Sequence, residues 1–209
     1  MIIEPNNIYL GDCLSLMREM PDKSVDLVLT DPPYPKEYLP LWSGLAEQSK
    51  RLLKPGGYCI TYSGQLFMPE VLQRMTQFLD YRWCIALLHS QTQIVWPVKS
   101  FANWKPIFVF RNGYKDETGE RIRCDVIRPS GADKKYHKWG QPVGESIELI
   151  LDYSQEGDLV LDPFLGSGTT AVACIKTGRR YIGMEIDPTY YEIAKKRIDL
   201  EKQQMKLAL

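Results

Sequence analysis

The chain has no apolar run long enough to cross a bilayer, and its first twelve residues lack the basic-then-apolar layout of a secretory signal, so a cytoplasmic protein is expected. Five cysteines (Cys13, Cys59, Cys84, Cys124 and Cys174) never fall in a CxxC spacing, which argues for reduced thiols and against structural zinc. Histidine is scarce: His89 and His137 are the only two, and neither stands at a metal-ligand or nucleophile spacing, so no metal is expected. Net charge is also missing. Lys plus Arg and Asp plus Glu are both 26, so the total argues neither for nor against a polyanionic partner. Neither internal repeats nor low-complexity tracts appear, and 209 residues are most simply read as a single domain, 1–209.

What is present is alternation. Asn7–Asp12 reads as a short strand and Cys13–Met20 as a helix closed by Pro21. Val25–Leu29 is an apolar run suited to a strand covered on both faces. Apolar residues at helical spacing over Glu37–Leu53 end at Lys54-Pro55-Gly56-Gly57. Tyr58–Tyr62, Trp83–Leu88 and Lys105–Phe110 follow as strands, with a helix over Pro69–Leu79. After a polar stretch with little periodicity, Val143–Tyr153 reads as a helix, Asp158–Asp162 as a strand, Ala171–Lys176 as a helix, Arg180–Glu185 as a strand and Thr189–Lys202 as a closing helix. Seven strands interleaved with helices predict an α/β protein: a mostly parallel seven-stranded sheet, Rossmann-like, with helices on both faces.

Two stretches carry chemistry. In Val25–Tyr34 the strand runs into Asp31-Pro32-Pro33-Tyr34, where the prolines fix φ and stop the ladder. Asp31 and the Pro32 carbonyl are acceptors for the two hydrogens of an exocyclic amino group, and the Tyr34 ring can stack on a base plane. Taken alone, the tetrapeptide suits an ordinary Asp-Pro turn with a core tyrosine equally well. The second stretch is Asp162-Pro163-Phe164-Leu165-Gly166-Ser167-Gly168-Thr169-Thr170, between a strand and a helix, where Gly166 and Gly168 let backbone approach a ligand. Glu185 ends the next strand 17 residues after Gly168, about where a ribose-binding carboxylate belongs. The third glycine of GxGxxG is absent, so nothing demands a pyrophosphate; an adenosyl cofactor fits and a nicotinamide dinucleotide does not.

Together these residues resemble the amino-group DNA methyltransferases that use S-adenosylmethionine. Asp31-Pro32-Pro33-Tyr34 is similar to their catalytic motif and the Asp162–Thr170 stretch to their cofactor loop. The catalytic motif precedes the cofactor loop, with 131 residues from Asp31 to Asp162, which resembles the circularly permuted β group. The resemblance implies Asp31, Pro32 and Tyr34 as catalytic residues. It implies a cofactor site made by Asp12 near the adenine, Glu185 at the ribose, and Asp162, Phe164, Gly166, Ser167, Gly168 and Thr169 around the methionine part. Relatives often carry a lysine before the proline of the helix entry in Tyr136–Ile150; here Gln141 precedes Pro142, leaving Gln141, Lys138 or backbone as partner of the methionine carboxylate, or Gln141 as a plain cap. An aspartate-led motif favours N6 of adenine, whereas N4-cytosine enzymes are serine-led.

The charge missing in total is present locally. From Pro97 to Trp139 ten basic residues meet five acids, a net +5 balanced by −5 elsewhere. Residues 111–136 are therefore the candidate target-recognition loop, with Arg121, Arg123, Arg128, Lys134 and Lys135 as nucleic-acid contacts and nearby aromatics, Trp96 and Phe101 among them, as apolar wedges. A solvated insertion anchored by those aromatics is the plainer reading of the same segment. Ser63-Gly64 and Ser90 follow strands at the edge where ligands bind and are candidates to line a base pocket. The expectation is a site-specific, restriction-modification type DNA methyltransferase, binding double-stranded DNA as a monomer or homodimer. The alternatives are an N4-cytosine enzyme, an RNA methyltransferase, and a non-catalytic DNA-binding regulator.

Overall fold

The computed structural model describes residues 2–114, 122–128 and 143–207. In chain order its elements are β1 (Asn7–Leu10), α1 (Cys13–Arg18), β2 (Val25–Thr30), α2 (Leu39–Leu52), β3 (Leu53–Tyr62), α3 (Met68–Met75), β4 (Asp80–Val95), β5 (Ser100–Arg111), β6 (Val126–Ile127), α4 (Val143–Tyr153), β7 (Leu159–Asp162), α5 (Thr169–Thr177), β8 (Arg180–Glu185) and α6 (Pro188–Leu207). All described strands join one sheet in the order β1-β8-β7-β2-β3-β5-β4-β6. The pairs around β2 are parallel: β1 with β8, β8 with β7, β7 with β2 and β2 with β3. β5 runs antiparallel to both β3 and β4. Seven of these strands are those expected from the sequence, and the eighth, β6, is a two-residue addition beside β4.

β2 shows why its sequence is apolar without a break. Val25 and Val28 enter the core under α1, α2 and α3, while Leu27 and Leu29 enter the core on the other face, beneath α4, α5 and α6. A strand covered on both sides leaves no position for a polar residue. In α2 the buried positions Leu39, Trp42, Leu45, Ala46, Ser49 and Leu52 recur at the three-to-four-residue spacing that makes one helical face. The expected helix over Pro69–Leu79 is shorter, ending at Met75.

The larger departure is in β4 and β5, read from the sequence as Trp83–Leu88 and Lys105–Phe110. Both run far longer, and their pairing continues through Gln93 opposite Ala102 and Val95 opposite Ser100. The run His89-Ser90-Gln91-Thr92-Gln93 has no alternation to signal a strand, because most of this ribbon faces no core.

Chain direction places the site. β7, β8 and β1 succeed one another to one side of β2, and β3 lies on the other side, so the order reverses between β7 and β2. The crevice at the carboxyl ends of such neighbours is where open α/β sheets bind ligands.

Gly57 sits where β3 meets β2 at a shift in register. A Cβ there would lie 2.9 Å from the Asp26 carbonyl oxygen and 3.1 Å from that of Lys54, where the β2–β3 pairing shifts register between Val25 and Leu27. Both obstacles are backbone, which cannot swing aside. Gly57→Ala is expected to destabilise the fold by about 1–3 kcal/mol, the cost of overpacking. A urea midpoint equal to that of the wild type would show that the bulge has slack.

Candidate active site

The site forms where β2 and β7 end side by side. Thr30, the last residue of β2, donates its hydroxyl to Asp162 Oδ1 at 2.7 Å, and the backbone N–H of Phe164 donates to the same oxygen at 3.1 Å. Asp162 is buried, and burial pushes its carboxyl up to about 6, opposed by the hydrogen bonds from Thr170, Thr30 and Phe164.

Beyond Asp162 the chain turns through the glycine loop into α5. Gly166 has φ +54°, and a Cβ there would meet nothing within 4 Å among the described residues, so they leave space over this backbone. Its N–H donates to Glu185 Oε2 at 2.7 Å, while Glu185 Oε1 accepts from the Asp187 N–H at 2.8 Å. Glu185 therefore ties the loop to the end of β8. Gly168 also serves packing. With φ +86° it caps α5, and a Cβ would press to 3.2 Å on the Cα of Ala194 in α6. Ser167 and Thr169 are buried and backed by Arg197 of α6, whose Nη1 stands 3.4 Å from the Ser167 carbonyl and 3.0 Å from Thr169 Oγ1. Nothing in the sequence singles out Arg197, because it lies on a polar-looking closing helix far from either motif.

Asp12 follows β1, which pairs with β8 so that Leu10 faces Glu185. Its carboxylate caps α1, accepting from Ser15 N at 2.9 Å and Ser15 Oγ at 2.8 Å. The cofactor residues expected from the resemblance are thus brought to one edge, apart from Gln141, which lies outside the described residues. An adenosyl group fits the groups present: acceptor carboxylates at the ends of β1 and β8, whose counterparts are ribose hydroxyls and an adenine amino group, and uncrowded backbone at Gly166.

Across the crevice Asp31, Pro32 and Tyr34 form a compact turn. The Tyr34 hydroxyl donates to Asp31 Oδ1, and the ring packs against Gly64, where a Cβ would come within 3.3 Å. Burial, then the charge of Asp31, raises the Tyr34 hydroxyl well above its ordinary value, so it stays a donor. Ser63 is held by its N–H to the Pro106 carbonyl at 2.9 Å.

One residue here is invisible in the motifs. Lys105 of β5 places Nζ 3.4 Å from Asp31 Oδ2 and 3.2 Å from the Tyr34 hydroxyl, and lies 4.5 Å from the centroid of the Tyr62 ring. The sequence signal, a lysine interrupting an apolar strand beside Pro106, reads only as one more surface charge. Glu145 of α4 is a second buried acid in the neighbourhood. Its Oε2 has no hydrogen-bond partner among the described residues. Burial pushes its carboxyl up to about 7, Lys105 opposing and Asp31 and Glu148 adding to the rise.

The expected nucleic-acid residues divide. Arg121, Lys134 and Lys135 lie outside the described residues, and Arg128 is exposed. Arg123 is engaged by the fold: its Nε donates to the Asp152 carbonyl at 2.8 Å, and the guanidinium lies 4.5 Å from the Tyr153 ring centroid and 5.7 Å from that of Tyr58. Tyr58 precedes Tyr62 by four residues on β3, so Arg123 sits back from the edge that carries Asp31. Among the described residues no group of three or more His, Cys, Asp or Glu side chains is placed to hold a metal, and no helix is long and apolar enough to cross a membrane.

Comparison with known proteins agrees with this geometry. A family model described as DNA methylase, covering N6 and N4 methylases, matches residues 25–196. The chain is 27% identical to the type II methyltransferase M.HpaI of Haemophilus parainfluenzae, over 93% of this chain and 74% of that protein. It is 25% identical to the DNA adenine methyltransferase YhdJ of Escherichia coli K12, over 94% and 84% respectively. In fold it is similar to TTHA0409 of Thermus thermophilus complexed with S-adenosyl-L-methionine (TM-score 0.75, 24% identity, 93% of each chain). It is similar also to the cytosine-N4-specific PvuII DNA methyltransferase (TM-score 0.79, 20% identity, 93% of this chain and 86% of that one).

The raised carboxyl of Glu145 has a signature in stability. Its folded value of about 7 exceeds the ordinary 4.5, so the stability it contributes is complete below about 4.5 and lost as pH rises through 7. Glu145→Gln removes that loss. Urea unfolding at pH 5 and pH 8 is expected to show the variant gaining on the wild type at the higher pH, and a pH-independent gap would rule out the buried acid as its cause.

Proposed function

Because the chain belongs to the N6 and N4 DNA methylase family, we propose that it is a site-specific DNA methyltransferase acting on the exocyclic N6 of an adenine turned out of the duplex. The methyl donor is S-adenosyl-L-methionine, which supplies an electrophilic methyl group on a sulfonium. The observation that carries the reading is the junction of β2 and β7. A turn that offers acceptors to an amino group stands beside an open glycine loop, joined by the 2.7 Å bond from Thr30 to Asp162.

In this reading the residues bind and align. Asp31 and the Pro32 carbonyl accept the two amino hydrogens, which turns the nitrogen lone pair out of conjugation and toward the glycine loop. A carboxylate oxygen has two acceptor positions, so accepting from the Tyr34 hydroxyl and pairing with Lys105 is compatible with acceptance from an incoming amine at Asp31. Tyr34 stacks on the base, with Gly64 as its support. Formation of the N–C bond would be matched by cleavage of the methyl–sulfur bond, leaving a neutral thioether, and the amine, now positively charged, would lose a proton along its hydrogen bond to Asp31. Lys105 is a positioning residue that fixes both the carboxylate and the phenol. Glu185, Asp12, Asp162, Phe164, Ser167, Thr169 and the backbone at Gly166 and Gly168 are the proposed cofactor contacts. Gln141, Arg121, Lys134, Lys135 and the exposed Arg128 keep their proposed roles, while Arg123 is assigned to anchoring. The aspartate at position 31 favours adenine; the N4-cytosine reading has in its favour the shared frame of the PvuII enzyme.

Mapping of modified bases in DNA from cells expressing the protein is expected to show N6-methyladenine at one short sequence. N4-methylcytosine there would transfer the assignment to the other base, and an unmodified genome would refute it. Asp31→Ala is expected to abolish methyl transfer while leaving cofactor affinity close to that of the wild type. Lys105→Met is expected to lower kcat on the order of a hundredfold, the scale of a misplaced reacting group, with Lys105→Arg recovering part of it. If Lys105→Met changes KM for DNA and leaves kcat intact, the positioning role is wrong.

A further inference from the structure

From Arg82 to Arg111 the chain contains no acidic residue. This is the segment that forms the β4–β5 ribbon. β3 ends at Tyr62, opposite Ile107, but β4 and β5 continue to pair through Ile94 opposite Phe101 and Val95 opposite Ser100. At the rise of an extended strand, the seven residues from Ile107 to Ser100 carry the ribbon on the order of 20 Å past the end of β3, on the side where Asp31 stands. The ribbon turns at Trp96–Val98, and Lys99 leaves the turn with φ +49°.

Its outer part is apolar and bare. Trp96 is 74% exposed, Phe101 72%, Val98 58% and Ile94 49%. Ile94 and Phe101 are direct cross-strand partners and share one face. Four large apolar side chains on a two-stranded ribbon gain nothing in water, and such a ribbon is marginal without a partner. Its charge and its root identify that partner. Free of acids and bearing Lys99, it suits a polyanion. The same strand carries Lys105, bonded to Asp31, so the ribbon rises directly beside the place where a target base must arrive. A base taken out of a duplex leaves a gap in the stack, and apolar side chains inserted between base steps hold such gaps open.

We infer that the β4–β5 ribbon is a wedge for duplex DNA, with Trp96 and Phe101 entering the stack beside the target while Lys99 meets the backbone. This rests on the DNA methyltransferase reading above and adds the element that opens the duplex, moving part of the DNA contact from residues 111–136 to residues 89–104.

The test compares two forms of the mapped site: a fully paired duplex, and the same duplex with the target base opposite an abasic position, where opening costs little. Trp96→Ala/Phe101→Ala is expected to lose on the order of tenfold or more in kcat/KM on the paired duplex and to stay near wild type on the abasic one, with Trp96→Phe intermediate. Both side chains are exposed, so cofactor affinity should not move, and it serves as the check on folding. Equal rates on both substrates, or equal losses on both, would overturn the wedge. So would a shift in sedimentation from dimer to monomer without a change in the paired-to-abasic ratio, since the face would then be a subunit contact. A wild-type protein that methylates neither substrate would instead sink the methyltransferase reading.

Discussion

The site depends on one hydrogen bond between side chains 132 positions apart, from Thr30 to Asp162. Both residues end strands, and both are buried. A carboxylate in that position is costly, as its rise to about 6 records, and the hydroxyl from the neighbouring strand offsets part of the cost. The bond therefore does more than join two strands. It makes the position of the glycine loop a function of where β2 stops, and β2 stops where Pro32 ends its ladder. Two segments distant in sequence are placed relative to each other by local chemistry at both ends.

The parts of the fold that face a core were legible in the sequence. β2 announced itself as an uninterrupted apolar run because Val28 and Leu29 go to opposite cores. α2 did so through Trp42, Leu45 and Ala46 on one face. The ribbon beyond Leu88 was not legible, since burial alone imposes alternation and this ribbon has almost none. The site followed the same rule. Asp31, Tyr34, Gly166 and Glu185 stood in short patterns whose spacing has a chemical meaning. Lys105, Glu145 and Arg197 act through contacts made in space, with no companion at a fixed sequence interval. Arg123 shows the converse: a basic residue in a basic segment reads as a nucleic-acid contact, and its stacking on Tyr153 has no signal in the sequence.

The loop glycines illustrate two uses of the same residue. Gly166 leaves space, and none of the described residues touches the position its Cβ would occupy. Gly168 removes space, letting the backbone of Ala194 in α6 come against the loop. With Arg197 bridging Ser167 and Thr169, the closing helix becomes the backing plate of the loop. Rigidity in the loop is thus borrowed from an element that carries no recognisable motif, as expected where reacting groups must be held to within fractions of an ångström.

β5 is continuous from the exposed tip at Ser100 through Lys105 to the buried Val109. Its middle is clamped in the sheet, its far end is free, and the lysine that touches Asp31 lies where the clamp begins. Such a strand has the layout of a lever with its fulcrum beside Asp31. On the wedge reading, a load on the tip would reach Asp31 through Lys105 as a change in alignment, and a poorly fitting DNA site would be grasped and still fail to react. Discrimination between sites would then reside in turnover more than in affinity.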